Sequence, residues 1–577
     1  MEINNLYKLW MEKTSVNKEL SYLYDELKSV EGDSEQINDR FYRELEFGTA
    51  GLRGVIGAGI NRMNVLTVGK VTYGIANYLN KLNTDRNSVV AIAYDSRHMS
   101  KEFALSTASI LNSQGVITYT FNTLQPTPVL SFAVRYLNAD AGVMITASHN
   151  PSKYNGYKLY GNDGAQIMPE PCKLITQEVD KITDLFSVPT MDINEARKAD
   201  LFRDVPENLM KTYYELVETT IIDRNVIKEN KNKIKIVYSP LFGCGNVPVC
   251  TMLSKLGFDF EVVREQQMPN GDFPGLKNPN PEFKEAFDIA KTYADNSGAT
   301  LLIATDPDAD RIGVVSKYNG EYYHLTGNQM GALLLNYALM QRKANGTLQA
   351  DAAFVKSIVS SVMVDKIADS YGCQTVQVLT GFKFIADKIA QFELIGKQFI
   401  LGFEESYGYL AGTFVRDKDA VIATVLICEM AAYYASKGMT VYEALLELYE
   451  KYGFSIEQVV SYEFEGQAGM IKMSAIMEHL RTAGFEALAG AKVVSFADYK
   501  SGEVTNKLTG EVAPTGIPNS NVLSFQMDND TKVIIRPSGT EPKIKLYFFS
   551  ANAQRELASK NIEALKAEMD NIVNSVE

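Results

Sequence analysis

The sequence predicts an α/β protein, with three similar α/β domains followed by a smaller α+β domain. Three observations predict it. Three stretches of the chain each read as strand, helix, glycine stop and strand. Each is followed by a further helical segment, a further apolar strand and then a polar, functional-looking loop. After about Phe454 this pattern stops, and strand-like and helix-like pieces alternate.

The elements follow in order. Residues Asn5 to Leu45 mix charges with Leu, Tyr and Trp10 at helical spacing, and read as an added helical segment packed on the first repeat. The first repeat runs from Ser88 to Tyr94, through a helix to Leu111 and Gly115, to a strand through Tyr119, with a later strand from Gly142 to Ile145. The second runs from Ile234 to Tyr238, a helix to Leu256, Gly257 and Phe258 to Val263, with Thr300 to Ala304 as its later strand. The third runs from Ala353 to Val355, a helix to Tyr371, Gly372 and Thr375 to Leu379, with Lys397 to Leu401 after it. Asn270 to Gly275, with Pro279 and Pro281, reads as a long loop inside the second repeat. The last part carries strand patterns at Val459 to Glu465, Lys492 to Phe496, Val522 to Met527 and Val533 to Ile535, and an amphipathic helix from Ala553 to about Val576. The expected domains are 1–220, 221–335, 336–455 and 456–577.

Composition bounds the function. With 46% hydrophobic and 22% charged residues, a chain of 577 residues is an ordinary globular one, long enough for sizeable cores. A net charge of -13 leaves no broad basic face, which argues against a nucleic-acid backbone binder. A small phosphorylated substrate needs only a local cluster of cations. The 5 cysteines form no C-x-x-C pair and read as reduced and mostly buried. There is neither a basic leader with an apolar core nor an apolar run of membrane-spanning length, so a cytoplasmic protein is expected.

The chemistry lies in the loops. Open α/β sheets place ligands at the carboxyl ends of their strands, so loops in that position are candidates for one shared site. Asp306, Asp308 and Asp310 follow an apolar strand, and period-two geometry along an extended segment would aim all three to one side. Hard oxygen ligands suit Mg²⁺ or Ca²⁺, and an EF-hand is excluded because Arg311 and Lys317 stand at the sixth and twelfth positions, where it needs Gly and Glu. Ser148, in Thr146 to Pro151, offers a nucleophile in a loop without a G-x-S-x-G elbow or P-loop. Its neighbour His149 is expected to point elsewhere, and Lys158 could supply a cation for phosphoryl transfer. Gly402 to Gly408 offers acceptors and a hydroxyl that suit a polyol. Arg536 to Pro542 offers a planar fork, hydroxyls and backbone N–H groups for a phosphate, with Lys545 able to lean in.

The loops T-A-S-H-N-P, D-P-D-A-D-R, G-F-E-E-S-Y-G and R-P-S-G-T-E-P occur in that order. With them the chain resembles the α-D-phosphohexomutase superfamily, and within it the phosphoglucomutase and phosphopentomutase branch. The resemblance implies four domains around a central cleft, each contributing one loop. It implies that Ser148 carries a phosphoryl group and that Asp306, Asp308 and Asp310 hold Mg²⁺ with a phosphoserine oxygen of Ser148. It implies that Glu404 and Ser406 bind sugar hydroxyls, with Thr380, Gly381 and Lys383 also at the substrate. Arg536, Ser538, Gly539, Thr540 and Lys545 would hold the phosphate not being transferred, although many relatives have Arg where Lys545 stands. Arg53, Arg311 and Lys158 match cations at the reacting phosphate, Lys418 matches a candidate general acid or base, and His149 joins the catalytic candidates.

The implied reaction interconverts glucose 1-phosphate and glucose 6-phosphate, with glucose 1,6-bisphosphate as activator and intermediate. Tyr407-Gly408 after Ser406 differs from the Gly-His or Ala-His of mannose and glucosamine relatives, which favours glucose. Ribose or deoxyribose 1-phosphate stays open, as does a magnesium-dependent sugar phosphatase working through phosphoserine. A catalytically silent sugar-phosphate sensor would need neither Ser148 nor the three aspartates. Small sugar phosphates are the expected partners, with no nucleic acid and no membrane, and the expected state is a monomer.

Overall fold

The computed structural model describes residues 3–48, 51–464, 466–538 and 543–576. The chain forms two compact units. The first holds Met1–Leu325, Ala386–Ile395 and Tyr407–Gly438, and the second holds Thr326–Ile385, Gly396–Ser406 and Met439–Glu577.

The first unit begins with helices Ile3–Ser15, Ser21–Ser29 and Ser34–Phe41, the helical extension expected from the spacing. Trp10 anchors them, with its ring edge-on to Phe41 at 5.6 Å and to Phe186 at 5.5 Å. Two sheets follow. The strands of the first are β1 (Leu52–Val55), β2 (Val89–Tyr94), β3 (Ile117–Thr120), β4 (Ala141–Ile145), β5 (Tyr154–Gly161) and β6 (Phe202–Asp204), in the order β1-β5-β4-β2-β3-β6. Those of the second are β7 (Lys235–Ser239), β8 (Asp259–Val262), β9 (Leu301–Thr305), β10 (Ile312–Tyr318) and β11 (Glu321–Leu325), in the order β11-β10-β9-β7-β8. Continuous apolar runs such as Val90 to Tyr94 and Leu301 to Ala304 are buried on both faces, as central strands of a helix-covered sheet require.

The βαβ reading anticipates the parallel pairs β2 with β3 and β4, and β7 with β8 and β9. It does not anticipate that β5 runs antiparallel to β4, or β10 to β9. The serine and carboxylate loops therefore each close an antiparallel hairpin rather than lead into a helix. Asn155-Gly156 disguises β5, since such a pair reads as a turn.

In the second unit, β12 (Ala353–Ser357) pairs in parallel with β13 (Gln374–Val378) and β14 (Phe399–Glu404). The short β15 (Gly408–Leu410) belongs to the first unit. The C-terminal sheet consists of β16 (Phe454–Glu463), β17 (Ala487–Leu488), β18 (Ala491–Asp498), β19 (Glu503–Asn506), β20 (Val512–Pro514), β21 (Leu523–Met527), β22 (Thr531–Pro537) and β23 (Lys543–Asn552). Its order is β16-β23-β22-β21-β18-β19-β20, with β17 on β18, and its paired strands are antiparallel. Helix Arg555–Ser575 buries Ala558, Ile562, Leu565, Met569 and Val573, a stripe at helical spacing. A separate apolar cluster joins Ile358, Val359 and Leu379 to Tyr499, Ile534 and Tyr547, tying the β12–β14 sheet to the C-terminal one. The cysteines are free, and all but Cys250 are buried. Among the described residues no single helix is long and apolar enough to cross a membrane.

Gly156 shows how tightly the serine hairpin is built. A Cβ there would lie 2.5 Å from the Thr146 carbonyl oxygen and 2.9 Å from that of Leu52. Gly156→Ala should push β5 away from both neighbours and destabilise the protein by about 1–3 kcal/mol. A denaturant midpoint equal to wild type would show that the hairpin can spread.

Candidate active site

In the first unit, β4 delivers the serine loop and β9 the carboxylate turn. Ser148 is buried and adopts a left-handed φ of 52°, which a non-glycine residue holds only when its surroundings enforce it. Thr146 supplies part of that support: its hydroxyl donates to Asp95 Oδ2 at 2.6 Å and accepts from the Ser148 N–H at 2.8 Å. The Ser148 hydroxyl donates to Asp306 Oδ2 at 2.7 Å. His149 does not point elsewhere: its Nδ1 lies 3.0 Å from Ser148 Oγ. The left-handed serine turns the loop so that two adjacent side chains meet. Burial, and then Arg311 and Arg53, hold His149 well below the usual histidine range, so its ring is neutral at pH 7.

The carboxylate segment is a turn, not the extended run expected. The Ala309 N–H donates to the Asp306 carbonyl at 2.9 Å, and Ala309 has a φ of 49°. Asp306 Oδ1 accepts from the N–H groups of Asp310 at 3.1 Å and Arg311 at 3.0 Å. Tight winding, rather than strand alternation, brings one oxygen from each of Asp306, Asp308 and Asp310 within 4.8 Å of one another. All three side chains are buried. Burial and the neighbouring Asp308 and Asp310 push Asp306 well above the usual carboxylate range. Burial also opposes charge on Asp308, but Lys158 at 2.8 Å outweighs it and holds that carboxyl low.

Cations converge on the turn. Lys158 Nζ, from β5, also lies 3.4 Å from Asp310 Oδ2. Lys418 Nζ lies 3.3 Å from the same oxygen and 3.0 Å from Asp417 Oδ1. Arg311 pairs with Glu282 at 2.5 Å, and its Nε is 3.9 Å from Asp310 Oδ1. Arg53, on β1, reaches Asn150 Oδ1 at 3.5 Å and is the most open of these cations. Asp308 Oδ1 and Asp310 Oδ1 are buried with no hydrogen-bond partner among the described residues. Orphaned carboxylate oxygens beside a third carboxylate and a hydroxyl are a donor set that fits a hard divalent cation.

In the second unit, Glu404 ends β14 and its Oε1 accepts from the Gly381 N–H at 2.7 Å. That bond joins Glu404 to the turn of Thr380 and Gly381, where Gly381 has a φ of 119°, and Lys383 lies in the helix Phe382–Ile395 that follows. Ser406 is half-buried two residues on. Glu405 accepts from Ser357 Oγ at 3.1 Å. On the C-terminal sheet, Arg536 and Lys545 stand opposite each other on β22 and β23. The Ser538 N–H donates to the Lys543 carbonyl at 2.7 Å. Gly539 and Thr540 lie outside the described residues.

Sequence reasoning missed several residues here. Asp95 and Arg97 follow β2 as the other loops follow their strands, so the same positional rule could have found them. Thr127 opens helix Thr127–Tyr136, and its hydroxyl donates to Asp308 Oδ2 at 2.8 Å. Tyr160 donates to Asp417 Oδ2 at 2.7 Å, fixing the residue beside Lys418. Tyr547 is pushed up to about 12 by burial and then by Glu405, with Arg536 acting against the rise. No local signal marks these last three, because each owes its place to a distant segment.

Three family models cover most of the chain: phosphoglucomutase/phosphomannomutase alpha/beta/alpha domain I over residues 44–185, domain II over 211–320 and domain III over 326–452. The chain belongs to this family, within the α-D-phosphohexomutase superfamily. It is 39% identical over 516 residues to a phosphoglucomutase of Staphylococcus epidermidis, covering 89% of this chain and 92% of the relative. It is 35% identical over 574 residues to a phosphoglucomutase of Staphylococcus saprophyticus, covering 98% and 99%. The open form of parafusin, a phosphoglucomutase from Paramecium, shares the fold at a TM-score of 0.68 and 19% identity, over 92% of this chain and 95% of that one. The architecture of three family α/β/α domains and a C-terminal antiparallel sheet domain is thus that of the superfamily.

Asp308→Asn removes one anionic oxygen from the cluster and leaves Lys158 with a weaker partner. A calorimetric titration with a divalent cation should show affinity reduced by at least about tenfold. Wild-type affinity in the variant would remove Asp308 from the metal site.

Proposed function

We propose that this chain is a magnesium-dependent phosphoglucomutase that interconverts glucose 1-phosphate and glucose 6-phosphate through a phosphorylated Ser148. The observation that carries the reading is the Ser148 hydroxyl at 2.7 Å from a buried aspartate of the three-carboxylate turn, with Lys158 and Lys418 against the same turn. Relatives named phosphoglucomutase, alignable over nearly all of the chain, support the substrate class.

Asp306, Asp308 and Asp310, with an oxygen on Ser148, would hold Mg²⁺, which when bound offsets charge on the transferring phosphoryl group. The chain's own residues do the rest. A hydroxyl of the sugar monophosphate attacks phosphorus; the new O–P bond forms as the bond to Ser148 Oγ breaks, giving glucose 1,6-bisphosphate. The bisphosphate turns over and returns its other phosphoryl group to Ser148. One proton passes from the attacking hydroxyl to the departing serine oxygen, and Lys418 is the group we assign to carry it. Lys158, Arg311 and Arg53 stabilise the charge that develops on the moving group. Neutral His149, against Ser148 Oγ, restrains the serine rotamer.

Glu404 and Ser406, with Thr380, Gly381 and Lys383, take the sugar hydroxyls in this reading. Arg536, Ser538, Gly539, Thr540 and Lys545 hold the phosphate that is not reacting. A phosphatase needs neither set, because hydrolysis does not require the sugar to be held, released and held again.

Ser148→Ala should abolish turnover of glucose 1-phosphate while the protein stays folded. Intact-mass measurement should find a phosphate on the wild type that the variant lacks. Substantial residual turnover, or release of inorganic phosphate outpacing isomerisation in the wild type, would overturn the mutase reading.

Arg536→Ala and Glu404→Ala should fail differently. Every substrate shares the distal phosphate, so the arginine variant should lose about 1.5–3 kcal/mol, roughly one to two powers of ten in kcat/KM, on glucose and ribose phosphates alike. The glutamate variant should reorder those substrates. A reordering in the arginine variant, or none in the glutamate variant, would contradict this division of roles.

A further inference from the structure

The loop Asn270–Gly275 is long and proline-flanked, and the reaction described above makes no use of it. It packs on the turn that follows β2. Gly271 lies so close to this turn that a Cβ would stand 2.7 Å from the His98 nitrogen and 3.1 Å from the Ser96 carbonyl oxygen. Asp272 Oδ1 is 2.7 Å from His98 Nε2. Phe273 is buried with a left-handed φ of 48°, and its ring centroid lies 5.0 Å from the Arg97 guanidinium carbon.

Arg97 is itself buried and grips the serine loop. Its Nη1 donates to the carbonyls of Pro151 at 2.9 Å and Tyr154 at 3.0 Å. Its Nη2 donates to the carbonyl of Ser148 at 2.5 Å and to that of Asn150. Four carbonyl dipoles pointing at one place repel unless a cation sits there, so the loop's conformation depends on this guanidinium. Asp95, paired with Arg97 at 3.5 Å, accepts from Thr146, which in turn holds the Ser148 N–H.

We propose that Arg97 and Phe273 are positioning residues for the nucleophile: Phe273 braces Arg97, and Arg97 holds Ser148 in the left-handed turn that aims its hydroxyl at the carboxylates. The loop lies between β8 and β9, and the carboxylate turn that the serine faces lies between β9 and β10. The proposal rests on Ser148 being the phosphoryl carrier, and it assigns no contact between either residue and substrate.

The test is a double-mutant cycle in the full-length enzyme, with turnover counted per phosphorylated Ser148 by intact mass. Phe273→Leu keeps an apolar side chain but removes the aromatic face. It should lower kcat by roughly three- to thirtyfold with KM for glucose 1-phosphate unchanged. Arg97→Lys keeps the charge and loses the fork, and should lower kcat further. Because Phe273 acts through Arg97, the double variant should be no slower than Arg97→Lys alone. Losses that multiply, or wild-type kcat in Phe273→Leu, would overturn the proposal. If Arg97→Lys does not fold, the ³¹P resonance of phosphoserine in Phe273→Leu decides: a shift from wild type supports positioning, and an identical resonance refutes it. Absence of phosphate on wild-type Ser148 would instead sink the mutase reading itself.

Discussion

Three buried carboxylates on one six-residue turn repel one another, and much of the first unit is arranged around that repulsion. At an effective dielectric near 20, two unit charges about 4 Å apart interact by about 4 kcal/mol. Asp306, Asp308 and Asp310 hold such a separation with almost no access to water. The compensation comes from segments far apart in sequence: Lys158 on β5, Lys418 before helix Ala420–Ser436, and Thr127 at the start of another helix. Helix Ala420–Ser436 is drawn to the same place, since the Ala420 N–H donates to the Ala309 carbonyl at 3.2 Å. A site that binds a divalent cation for phosphoryl transfer needs this excess of buried anionic oxygen. The surrounding lysines make it tolerable in the fold.

Strain is the second organising feature. Ser148 and Ala309, one at the tip of each hairpin, both sit in the left-handed region. Each hairpin reverses within a few residues, so its polar side chains are delivered as a compact group. The supports lie around these tips: Thr146 and Arg97 at the first, and the backbone bonds to Asp306 Oδ1 at the second. Polar groups held this way need not reorganise as charge moves during transfer. The second unit uses a milder version, in which Glu404 braces a glycine turn rather than a strained serine.

Much of this was legible in the sequence because the chain repeats one simple pattern. Central strands such as Val89 to Tyr94 are apolar throughout because both faces are covered, and Gly257 and Gly372 end helices in the left-handed conformation only glycine adopts freely. Apolar strand followed by polar loop marked Ser148, the three aspartates and Glu404 because the strand's burial forces the chain to surface at its end. Those signals are local, and local signals survive without a structure.

What the sequence by itself determined is therefore the α/β repeat, the added helices at the start, the change of architecture after Phe454 and the residues at the strand ends. The tertiary structure decided how those residues are aimed. It made the aspartates converge by a turn instead of by strand alternation, and brought His149 onto Ser148. It turned the serine and carboxylate loops into antiparallel hairpins, and it recruited Arg97, Thr127, Tyr160 and Tyr547. The reason is physical. A residue's chemical type and its place after a buried strand are properties of a short window of chain. Its direction depends on φ at one or two positions, and on partners 51 to 257 residues away. Those partners meet only once the cores have packed.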